Sequence, residues 1–94
     1  MRREDILNEA GNCVLRDRDK EYGTPEDSFA MIADLWTTYL QERVVIAPRD
    51  VAAMMALLKI ARISRSCKRD NWVDLAGYAA CGGELDDQES EVTD

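Results

Sequence analysis

Apolar residues recur every three or four positions along most of this chain, the spacing of helices with one buried face. Ile6, Leu7, Ala10 and Val14, with Cys13 beside them, mark a first helix over about residues 3–18. Gly11 weakens it by ~1 kcal/mol relative to alanine. The run Arg16–Glu21 is nearly all charged with alternating signs and reads as a solvated helix end. The segment EYGTPED then punctuates the chain. Gly23 can stop a helix, Thr24 is a good N-cap, Pro25 suits the first helical position and Asp27 stands where a capping-box acid would. A second helix over about 25–43 carries two apolar stripes, Phe29/Ile32/Ala33/Trp36/Leu40 and Met31/Leu35/Tyr39.

Val44–Ala47 is β-branched and precedes Pro48, so it reads as an extended connection. A third helix, about 48–66, opens on Pro48, has Asp50 in its first turn, and shows the stripe Val51, Met54, Met55, Leu58 and Ala61. Lys59, Arg62, Arg65, Lys68 and Arg69 crowd its C-terminal end, where the helix dipole favours cations. Asp70 is placed to cap a fourth helix over 71–82, which the pair Gly82-Gly83 would end. On this helix Trp72, Leu75, Ala76 and Ala79 share one stripe, while Asp70, Asp74 and Tyr78 share another at i, i+4 and i+8. Gly77 lies between them, and its missing side chain would admit a close neighbour. No strand pattern of useful length and no repeat is present. The expected fold is all-α: a compact four-helix bundle over 1–83, with 84–94 as a disordered acidic tail. Two apolar stripes exceed what one bundle helix needs, so burial in a homo-oligomer is expected.

Ninety-four residues make one domain. The formal net charge of -7 excludes a general nucleic-acid binder, which needs a basic footprint. It suits solubility, a basic protein partner or imitation of nucleic acid. Three cysteines, Cys13, Cys67 and Cys81, are too far apart for a Cys-x-x-Cys zinc knuckle, and an odd number does not close a disulfide framework. They read as free thiols of a reducing cytoplasm. The N-terminus lacks the apolar run of a signal peptide, and the longest apolar run, Val51–Leu58, is too short to span a bilayer. The absence of histidine removes Ser-His-Asp and Cys-His catalysis. A bound metal would be a hard cation on oxygen ligands, magnesium first.

Three constellations are candidates for chemistry. Asp70 and Asp74, one turn apart, could share magnesium with phosphate oxygens and water, with Asp50 or Glu26 joining from other helices; they equally serve as a cap and a first-turn acid. Arg62 continues the apolar stripe of the third helix, so it needs an anionic partner: Asp74, or a ligand phosphate. Otherwise its stem lies along the core edge with the head in water. Lys59 is three residues away. Glu21-Tyr22 beside Gly23 can line a pocket mouth, or simply end a helix.

The segments EYGTPEDSF, IADLWTTYL, DVAAMMALLKIAR and DNWVDLAGYAA together resemble a small domain family found mostly in bacteriophages and prophages, without an established function. The resemblance covers about Arg16 to Leu85. The spacing of EYG, LLKIAR and DLAGY resembles, more distantly, a nucleotide-modification-associated phage domain. The all-helical plan is similar to the MazG-like nucleotide pyrophosphohydrolases, which carry a Glu-x-x-Glu pair and a later Glu-x-x-Asp pair. Here only Glu26 and Asp27 stand near the first position, and Asp70 and Asp74 stand in for the second at a different spacing. The resemblance implies nucleotide handling in the host cytoplasm. A phosphate would meet Lys59 and Arg62, Glu21, Tyr22 and Tyr78 would line the pocket, and magnesium would sit on Asp70 and Asp74 if there is turnover. The alternative is a non-enzymatic acidic interaction protein that inhibits a host defence complex through its exposed acids.

Overall fold

The computed structural model describes residues 2–17 and 23–93 and is all-α, with no strand among them. Four α-helices follow one another: α1 (Arg3–Asn12), α2 (Pro25–Tyr39), α3 (Pro48–Arg65) and α4 (Arg69–Thr93). α1 passes directly into a wider π-helical turn over Cys13–Asp17. The largest interface is the α3–α4 hairpin; α1 lies on α4, and α2 lies on α3. A 25-residue helix is ~37 Å long, so α4 sets the 41 Å long dimension of the molecule.

Local chemistry starts the helices where the sequence places it. The Asp27 amide donates to Thr24 Oγ1 (3.3 Å) at the head of α2. The Asp50 carboxylate accepts from the Ala47 amide (2.9 Å) at the head of α3. The ends differ. α2 stops at Tyr39, four residues early, because Gln41 and Glu42 take left-handed φ of 60° and 63°. Their amides bond back to the Thr38 and Thr37 carbonyls. Thr37 Oγ1 also accepts from the Ile46 amide (2.8 Å), tying the end of α2 to the approach of α3.

α4 begins at Arg69, so Asp70 sits in its first turn instead of capping it. The helix also runs straight through Gly82-Gly83, where the sequence pattern ends it. A Cβ on Gly82 would lie 3.2 Å from Ala52 Cβ. The glycine is therefore spent on helix–helix approach, and packing overrides its weak helix preference. Leu85, beyond the glycines, is buried, so the acidic stretch starts inside the folded domain and not after it.

The core comprises Phe29, Ala33, Val51, Ala52, Cys81 and Leu85, flanked by Val14, Ile32, Trp36, Ile46, Met55 and Tyr78. Gly77 serves as expected: a Cβ there would stand 3.1 Å from Val14 Cγ1, so the π-helical turn seats against it. The inward face of α3 is rotated from the expected stripe. Val51, Ala52 and Lys59 are buried, whereas Met54 and Leu58 are about two-fifths exposed. None of the three cysteines forms a disulfide; Cys13 and Cys67 are exposed and Cys81 is buried.

Candidate functional site

The rotation of α3 exchanges the roles of two cations. Lys59, not Arg62, points inward, and its Nζ lies 2.8 Å from Asp74 Oδ2. The lysine side chain is 11% exposed and the aspartate side chain 42%. Asp74 therefore does receive a cation from α3, one turn earlier than the Arg62 pairing expected from sequence. α3 is apolar on nearly every side between Val51 and Leu58, so its pattern does not choose a buried face. The long lysine stem crosses apolar surface and delivers its ammonium to the half-exposed carboxylate.

Arg62 is exposed at the corner where α3 turns into α4. There it lines an open depression of about 480 Å³ with Ala61, Arg65, Ser66, Lys68 and Asn71. The corner is shaped by backbone bonds: the Ser66 amide donates to the Arg62 carbonyl, the Lys68 amide to Ser66, and the Asn71 amide to Lys68. Asn71 is buried, and its Nδ2 donates to the Ser66 carbonyl (3.4 Å), holding the turn from inside. Among the described residues, Arg62, Arg65 and Lys68 form no ion pair, whereas the next cation, Arg69, is bound to Glu9 of α1 at 2.6 Å. The dipole of α3 favours Arg62 and Arg65 in its last turn. It does not account for Lys68, which stands past the helix end on the rim of the same depression.

The remaining expected site residues are dispersed. Asp70 is exposed in the first turn of α4. Tyr78 packs its ring on Phe29, with centroids 6.3 Å apart. It also borders a second open groove of about 450 Å³, with Ala52, Ala56 and Gly82 along its floor and Arg49 and Asp86 at its rim. Those two rim residues pair at 2.8 Å. Glu21 and Tyr22 lie outside the described residues. Asp70 and Asp74, the acids expected to share magnesium, lie one turn apart near the start of α4. No group of three or more acids or cysteines converges among the described residues, and Asp74 already carries the Lys59 ammonium.

Sequence reasoning missed Arg65, Lys68 and Asn71 as a unit. The signal was present as a run of cations over 59–69, but the dipole explained it well enough to hide the depression.

The match to known proteins is clear. Residues 5–86 fit the model of a family described as a domain of unknown function, DUF6378. The chain belongs to this family. This DUF6378 domain is 43% identical over 79 residues to the Gene 55 protein of Mycobacterium phage D29, a stretch covering 83% of the chain and 51% of the phage protein. It is 41% identical over 75 residues to the Gene 55 protein of Mycobacterium phage L5, covering 79% of the chain and 47% of that protein. The chain thus spans about half the length of the curated relatives it matches. No solved structure matches it. These matches bear out the resemblance to a small phage domain family of unknown function and add nothing to the nucleotide-modification or MazG ones. Among the described residues no helix is long and apolar enough to cross a membrane.

Proposed function

We propose that this DUF6378 domain binds a small phosphorylated ligand, a nucleotide or a nucleotide-derived signal, at the depression between α3 and α4. One observation carries the reading. In a chain of net charge -7, three cations without an acidic partner among the described residues surround a single depression. Arg62 and Arg65 present planar guanidinium forks suited to two phosphate oxygens each, and Lys68 adds a point charge. The depression is open, which suits capture and release of a ligand. Binding needs no metal, so sequestration fits better than MazG-like pyrophosphate hydrolysis. Lys59 supports the site from behind by fixing α4 through Asp74 and does not reach the ligand.

Thermal melts with nucleoside mono-, di- and triphosphates and with pyrophosphate test this reading. A ligand at a hundred times its Kd stabilises by ~2.7 kcal/mol, a rise of roughly 10 °C or more for a domain of this size. The Arg65→Glu/Lys68→Glu variant should keep its fold and lose the rise. No shift with any of these ligands at millimolar concentration refutes the proposal. A second reading, a protein that engages a host defence complex through exposed acids, is favoured by Glu84, Asp86 and Asp87, all exposed on α4. A host protein captured by the unmodified domain and by Arg65→Glu/Lys68→Glu, but not by a variant with those acids neutralised, would select it.

A further inference from the structure

The second apolar stripe of α2 remains uncovered. Met31, Leu35 and Tyr39 are 66%, 63% and 85% exposed, and the stripe runs on into Leu40, Val44 and Val45 of the following turn, at 40%, 56% and 78%. For residues of these sizes the exposures amount to roughly 700 Å² of surface on apolar and aromatic residues. The largest such patch on a typical monomer is ~300–600 Å², and one side of a standard protein interface buries ~800 Å². The area is therefore that of one half of an interface.

The spacing says what the other half is. Met31, Leu35 and Tyr39 follow one another at i, i+4 and i+8, the row that interdigitates when two helices pack. The row is symmetric about Leu35, with an apolar residue one turn to either side. A two-fold axis at Leu35 sets Leu35 against itself and Met31 of one copy against Tyr39 of the other, in both directions at once. This is the condition an isologous dimer must meet. We infer that the DUF6378 domain pairs with a second copy of itself through α2, antiparallel, with the two-fold axis at Leu35. The turn after α2 is suited to this use: its left-handed pair and the Thr37–Ile46 bonds hold Val44 and Val45 in place without burying them. The inference is independent of the anion site, which lies at the α3–α4 corner.

Light scattering of the intact chain at high micromolar concentration should give the dimer mass. Leu35→Glu should give the monomer mass with helical content unchanged, because it sets two carboxylates face to face at the axis. Leu57→Glu, on the exposed face of α3, should stay dimeric. A second measurement needs no charge. In a background with Cys13→Ser and Cys67→Ser, Leu35→Cys should form an intermolecular disulfide under mild oxidation, because the two-fold axis brings its copies within bonding distance. Leu57→Cys in the same background should not. A monomer mass for the intact chain, a dimer that survives Leu35→Glu, or crosslinking at Leu57 in place of Leu35 would each overturn the inference.

Discussion

The Lys59–Asp74 pair should respond unequally to loss of its two members. Asp74→Asn leaves an ammonium on a lysine whose side chain is only 11% exposed. Breaking a buried pair from one side typically costs ~3–5 kcal/mol. Here the asparagine oxygen can still accept one hydrogen bond and the pair opens to water on the carboxylate side, so we expect ~2–3 kcal/mol. For a domain of this size that is a fall in Tm of roughly 10–20 °C. Lys59→Met is the opposite case. The carboxylate left behind is 42% exposed and regains water, while the methionine fills the lysine's apolar path. An ion pair this open on one side is worth ~0.2–1 kcal/mol, and the better burial offsets it, so the net change should lie within about 1 kcal/mol of zero. The double variant should recover much of the Asp74→Asn loss. Urea unfolding of the two single variants and the double variant closes the cycle. A Lys59→Met loss as large as that of Asp74→Asn would refute the argument, because it would mean that the carboxylate, not the ammonium, is the costly group to strand.

Three other outcomes follow from the packing. Leu85→Ala should cost ~2–4 kcal/mol by urea unfolding, although Leu85 lies within a stretch whose composition reads as a tail. Gly77→Ala gains up to ~1 kcal/mol of helix preference but crowds Val14 Cγ1; overpacking costs ~1–3 kcal/mol, so the net melt should move down, and Val14→Ala in the same chain should relieve the crowding. Glu42→Gly removes a side chain from a left-handed φ of 63° and should raise stability by ~0.5–1 kcal/mol, read as a higher urea midpoint at unchanged slope.

What could be read from sequence followed how local the controlling chemistry is. Thr24-Pro25 and Pro48 with Asp50 start their helices through contacts within three residues, and both starts are where the sequence places them. The inward face of α3 is set by what packs on it, and a helix apolar nearly all round does not state that preference, so Arg62 was expected where Lys59 sits. Gly82 is a helix stop by propensity and a contact point by structure; only Ala52, thirty residues away, distinguishes the two. The π-helical turn over Cys13–Asp17 had no visible marker. The basic depression lay half in view, as a row of cations already claimed by the helix dipole.

The small residues Ala52 and Gly82 let α3 and α4 approach closely but do not interlock. Sliding α3 along α4 by a turn, ~5.4 Å, would set Ala56 where Ala52 now meets Gly82, a contact just as small. Ion pairs between the two helices remove that ambiguity. Lys59–Asp74 lies toward the corner of the hairpin and Arg49–Asp86 toward its open end, and a slide in either direction would break both together. The exposed Arg49–Asp86 pair adds little stability of its own. Its value is as a vernier: with Lys59–Asp74 it leaves one register in which both bonds can close.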